Sequence, residues 1–175
     1  MNGSDTPVGA GTAGAPASRP SGPRSLRLLI GAVIWGLCMM MAVLIAVYLR
    51  NRLETGRLPS ILTLYFVGGA IAWIPAQIVA RLAAGRARQE TRFAAQFVSL
   101  TLFTIGFTAL IFALDYRGFY AQWHAPTFTY IWFLQQFYTI GGATYQFAVI
   151  GLPLFLPVGL PLLIVTSLWQ ARDIS

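Results

Sequence analysis

The chain has very little with which to do acid–base, redox or metal chemistry. Lysine is absent, cysteine and histidine occur once each, and acidic residues number five in 175. One cysteine, Cys38, allows neither an internal disulfide nor a thiolate-based metal site. One histidine, His124, excludes a bis-histidine haem within a single chain. No phosphate-binding GxxxxGK loop, HExxH, CxxC or GxSxG stretch occurs, and no catalytic, metal or cofactor residues are assigned on sequence grounds. Charge itself is scarce at 10%, whereas a soluble domain carries about 25%. Water is therefore not the main solvent of this polypeptide.

What is abundant is apolar: 57% of residues are hydrophobic and 14% aromatic. A helix needs about 20 apolar residues to cross the roughly 30 Å hydrocarbon core. Four stretches qualify, at 28–49, 61–80, 93–114 and 147–169. The expected fold is an all-α integral membrane protein. It is read as a four-helix transmembrane bundle with an aromatic interfacial segment, 116–146, before the last helix. The domain boundaries are a disordered tail over 1–24, rich in Gly, Ala, Ser, Thr and Pro, and a helical membrane domain over 25–175. The first apolar run is too long for the core of a signal peptide and ends in Arg50-Asn51-Arg52, so it is read as an uncleaved span.

The segment 116–146 is the ambiguous one. Together with Phe147 it holds twelve of the twenty-four aromatic residues. Trp and Tyr favour the membrane–water interface, so a partly helical stretch over about 127–140, lying on one face, is expected. The alternative is a fifth span, with a break near Gly151-Leu152-Pro153.

All twelve basic residues are arginines. The net charge of +7 raises the question of nucleic acid. That class is set aside because the charges flank apolar spans instead of lining one soluble face. Cytoplasmic loops carry excess positive charge. With four spans, Arg19, Arg24, Arg27, Arg81, Arg86, Arg88, Arg92 and Arg172 share one side, and Arg50, Arg52, Arg57 and Arg117 the other. Eight against four places both termini in the cytoplasm of a multi-pass protein of a bacterial inner membrane. Arg81, Arg86, Arg88 and Arg92 form a basic loop expected to meet lipid head groups.

Helices in lipid associate by close packing, not by hydrophobic exclusion. Gly68, Ala72, Ala76 and Ala80 repeat every four residues, as do Thr104 and Thr108, so spans two and three are expected to form an antiparallel hairpin across these faces. Gln77 and Gln96 are expected to bond across it. Pro153, Pro157 and Pro161 each remove a backbone N–H. The carbonyls they free, from about Val149, Pro153 and Pro157, must find partners or water, or the helix must bend at these prolines.

The candidate polar cluster is Asp115, Arg117, His124 and Tyr120, beyond the outer end of span three. Histidine titrates near pH 6.5 in general and suits proton exchange. These features support three function classes. The first is a non-catalytic accessory or scaffold subunit that binds a larger membrane complex or lipid. The second is a small transporter or channel. The third is a membrane enzyme acting on a lipid or quinone. Expected partners are the bilayer and a membrane protein or further copies of the chain.

Overall fold

The computed structural model describes residues 24–52 and 56–173, so the amino-terminal tail lies outside the described residues apart from its last position. Five α-helices follow in order: α1 Arg24–Leu49, α2 Leu58–Ala84, α3 Gln89–Tyr120, α4 Tyr130–Gln146 and α5 Leu152–Asp173. A short 3₁₀ turn, Ala121–Trp123, extends α3, and a π turn, Phe147–Gly151, joins α4 to α5. No strand occurs among the described residues. Four helical stretches are long and apolar enough to cross a membrane, the last of them running unbroken over Tyr130–Arg172.

Helices α1, α2, α3 and α5 form a four-sided bundle. Helix α2 packs on α1 and α3, and α5 closes the square by packing on the same two. The inner face of α1 carries Ala32, Trp35, Met39, Val43 and Val47, spaced by three or four residues. Its outer face carries Leu29, Val33, Leu37 and Met41, equally apolar and exposed. A helix apolar all round is one surrounded by lipid or protein, not water.

Close approach at glycine sets the α2 contacts. A Cβ on Gly68 would stand 2.9 Å from Thr108 Cα, and one on Gly36 of α1 would stand 2.7 Å from the Phe66 carbonyl oxygen. Ala72, Ala76 and Ala80 are buried along the same line as Gly68, facing a line of Leu100, Thr104 and Thr108 on α3. From α1, Trp35 Nε1 donates to Thr104 Oγ1 at 3.0 Å, while within α3 Thr108 Oγ1 donates to the Thr104 carbonyl at 2.7 Å.

The ends of the helices follow local chemistry. Helix α1 stops where Arg52 N bonds the Val47 carbonyl and Asn51 N bonds the Tyr48 carbonyl. Asn51 sits between them at φ 53°. This is the Schellman closure, with asparagine accepting the left-handed position that glycine more often fills. Helix α2 begins with Pro59 in its first turn, where a missing N–H costs nothing.

Two features differ from the sequence expectation. Helix α3 does not end near 114 but continues through Asp115 and Arg117 to Tyr120. Instead of a partial helix over about 127–140, α4 runs the full Tyr130–Gln146 as the second limb of a helical hairpin, packed antiparallel on the end of α3. The reason is in the register of its polar residues. Gln135, Gln136, Thr139 and Gln146 fall on one side of α4, where Ala125 N and the His124 ring, in the turn before the helix, bond the first three without interrupting the backbone ladder.

The proline-rich helix is accommodated without a break. Pro153 has no N–H for the Val149 carbonyl, and its ring would collide with that carbonyl in a regular helix. The turn before it is widened, so that Leu152 N reaches the Phe147 carbonyl five residues back. Pro157 likewise leaves the Pro153 carbonyl without a helical donor. That carbonyl accepts from Arg50 Nη2 at 3.2 Å. The neighbouring Gly151 carbonyl accepts from the Tyr65 hydroxyl at 2.7 Å. Two side chains from α1 and α2 therefore support the irregular start of α5.

Candidate functional site

At 1.5 Å per residue, the 43 residues of Tyr130–Arg172 make a helix about 65 Å long. The hydrocarbon core is about 30 Å thick. Roughly half of this helix lies beyond what one crossing uses. The bundle takes α5, so the surplus is α4. Paired with the end of α3, it forms an arm.

The arm has reversed polarity. Trp132, Gln135, Gln136, Thr139, Ala143 and Gln146 face inward on α4 and are half-buried or buried, while Tyr130, Ile131, Phe133, Phe137, Tyr138 and Tyr145 are exposed. A helix in water places these sets the other way round. Helix α4 carries no charged residue at all.

Polar side chains close the tip. Thr129 caps α4 by accepting from Trp132 N at 3.2 Å, while its hydroxyl donates to the Pro126 carbonyl at 2.9 Å. Gln135 Oε1 accepts from Ala125 N at 2.8 Å. His124 lies against α4, with Nδ1 2.9 Å from Gln136 Nε2 and Nε2 3.3 Å from Thr139 Oγ1. The Thr139 hydroxyl proton goes to the Gln135 carbonyl at 2.6 Å. Its oxygen therefore accepts, which assigns the imidazole proton to Nε2 and leaves Nδ1 to accept from Gln136. Both ring nitrogens are engaged within the arm, an arrangement that fastens the tip rather than presenting a base to a substrate.

Just before this network, Phe128 is 82% exposed at φ 68°. Thr129 N bonds the Pro126 carbonyl at 3.3 Å, so Phe128 occupies the third place of a turn that favours glycine. A bulky residue held there stores backbone strain, a feature that clusters at functional positions.

The four residues grouped from sequence do not converge. Asp115 and Arg117 are both exposed, and two residues apart on a helix they point to different sides. Tyr120 joins an aromatic run, its ring 4.6 Å from that of Tyr116 and 5.8 Å from that of Trp123. His124 turns to α4 instead. Its partners Gln136 and Thr139 were not singled out from sequence. The usable signal was the spacing of Gln135, Gln136, Thr139 and Gln146, all on one helical face. Among the described residues no three of His, Cys, Asp and Glu gather at one point.

At the opposite end of the bundle, Arg81 and Arg86 line a concavity of about 560 Å³ formed by residues Arg81 to Ala87. Arg88 is exposed beside it, and Arg92 Nη2 reaches the Gly85 carbonyl at 3.5 Å. Gln77 and Gln96 are both buried, and no hydrogen bond links them.

The fold and these features define an all-helical protein with four helices long and apolar enough to cross a membrane. No protein-family model matches the chain, and neither does any curated protein or any solved structure.

Proposed function

We propose that this protein is a non-catalytic, multi-pass accessory subunit that docks on a larger membrane complex through the α3–α4 arm. The observation that carries the reading is the reversed polarity of α4 on a helix too long for one crossing. Exposed Phe133, Phe137, Tyr138 and Tyr145 form an uncharged aromatic surface, and such surfaces on rigid elements suit protein contact. Asp115 and Arg117, exposed at the base of the arm, favour a position for the arm outside the hydrocarbon. The distribution of arginines supports a bacterial inner-membrane location with both termini and the α2–α3 loop in the cytoplasm.

A photo-crosslinking residue at Phe137 tests this. In native membranes it should give a protein adduct of discrete mass. The adduct should be lost when Phe133 and Tyr138 are changed to Ser, and absent when the probe is at Leu102 on the outside of the bundle. Lipid adducts alone at Phe137 would sink the proposal.

A further inference from the structure

Helix α2 changes character along its outer side. Ile71, Ile78 and Leu82 recur at intervals of seven and four, so they share a face, and all three are exposed on the outside of the bundle. Leu82, 82% exposed, ends this stripe two residues before the helix itself ends at Ala84. There the chain turns basic: Arg81, Arg86, Arg88 and Arg92 stand against a single acid, Glu90. An apolar stripe that runs into arginines suits the boundary of a bilayer, where the guanidinium stays in water and its stem covers apolar surface.

The open concavity of about 560 Å³ lies at this junction. Its size is within the range of small-molecule sites, about 300–1,000 Å³. Arg81, Leu82 and Arg86 all line it, so charge and apolar surface meet in one place. Among the described residues neither Arg81 nor Arg86 has an ion-pair or hydrogen-bond partner. The last carbonyls of a helix repel an anion. Here two of them are already engaged: the Ala84 carbonyl accepts from Ala87 N at 3.2 Å, and the Gly85 carbonyl from Arg92 Nη2 at 3.5 Å. Arg92 thus offsets the helix end, while Arg81 and Arg86 keep their charge for a ligand.

We propose that this concavity binds the head group of one anionic glycerophospholipid from the adjacent leaflet. Its phosphate meets Arg81 and Arg86, and an acyl chain lies along Leu82, Ile78 and Ile71. The depth order fits, since a phospholipid carries its charge outermost and apolar chains beneath. A free phosphate ion would use the arginines and have no use for the stripe below them. General attraction of the whole basic loop is also expected, about fivefold in affinity per arginine near an anionic surface. The site is distinguished from that attraction by its geometry: Arg81 and Arg86 line the concavity, whereas Arg88 is exposed beside it. The site is at the far end of the bundle from the arm and does not depend on the docking proposal.

The full chain, delipidated in mild detergent, is titrated with phosphatidylglycerol, with phosphatidylcholine of matched chains, and separately with inorganic phosphate. Bound lipid is read by native mass spectrometry and stability by thermal midpoint. One phosphatidylglycerol should be retained at least tenfold more tightly than phosphatidylcholine and should raise the midpoint. Its affinity should fall at least tenfold in Arg86→Gln and in Arg81→Gln, and about fivefold or less in Arg88→Gln. Leu82→Ser should weaken it at least threefold. Equal retention of the two lipids would overturn the proposal, as would equal protection by inorganic phosphate. Equal losses from Arg81, Arg86 and Arg88 would do so too, since the loop would then attract lipid only as a diffuse charge. Should Arg81→Gln fail to fold, Arg86→Gln, at an exposed position past the helix end, decides alone.

Discussion

Thr104 does two things with one side chain and its backbone: its hydroxyl accepts from Trp35 and its carbonyl accepts from Thr108. Valine is close to threonine in shape but cannot accept, so Thr104→Val leaves the buried Trp35 N–H without a partner. We expect a loss of about 1–3 kcal/mol, read as a lower unfolding midpoint in detergent. Glycines divide in the same way by what surrounds them. Gly68→Val would push Thr108 and its backbone away, and overpacking of this kind costs about 1–3 kcal/mol. Gly106 has nothing within 4 Å of an added Cβ. Gly106→Ala should be neutral or stabilising by up to about 1 kcal/mol, since alanine restricts the unfolded chain and favours helix. Equal effects from the two substitutions would show that α2 and α3 do not meet where Gly68 faces Thr108. The sequence marked Gly68 by its four-residue spacing but could not separate it from Gly106, because the difference is the neighbouring helix and not the local residues.

At the scale of an element, α5 is the informative one. Its prolines predict orphaned carbonyls, and the identity of what satisfies them is a tertiary matter. Arg50 and Tyr65 are distant in the chain and reach Pro153 and Gly151 only because α1 ends, and α2 begins, beside the start of α5. Pro157→Ala would restore an N–H for the Pro153 carbonyl and make the Arg50 contact redundant. Arg50→Ala should therefore cost about 1 kcal/mol in the parent and close to nothing in the Pro157→Ala background, a coupling that a double-mutant cycle of thermal stabilities measures. Additive effects would mean that Arg50 does not support this carbonyl. The π turn was foreshadowed by the Gly151-Leu152-Pro153 stretch as a place of irregularity. That it widens the helix without ending it follows from Pro153 needing only one carbonyl moved, not from any local preference for a stop.

For the whole molecule, four crossings require both ends of the bundle's chain on one side. A reporter active only outside the cytoplasm should be silent after Ser175 and active when inserted after Gly56. Activity after Ser175 would require an odd number of crossings and would place α4 across the bilayer. The arm matters here because α4 runs on into α5 as one unbroken helix, and that continuity, not its composition, argues against a separate fifth span. Aromatic residues with interspersed Gln and Thr fit an interface, a span or a protein contact about equally well. Only the pairing of α4 with the end of α3 shows which of its residues face a neighbour.

The long uncharged runs determined by themselves that this is a helical protein and roughly where its helices lie, because an apolar backbone without water must satisfy its own hydrogen bonds. They also marked the small-residue and proline positions, since those properties belong to single residues. The tertiary structure alone decided that His124 bonds Gln136 and Thr139 and not Asp115 or Arg117, that Arg50 reaches Pro153, and that the amide nitrogens of Gln77 and Gln96 lie buried without a partner. These depend on which helices are neighbours and at what register. Residue spacing along one helix says which side a group is on, but not what stands opposite.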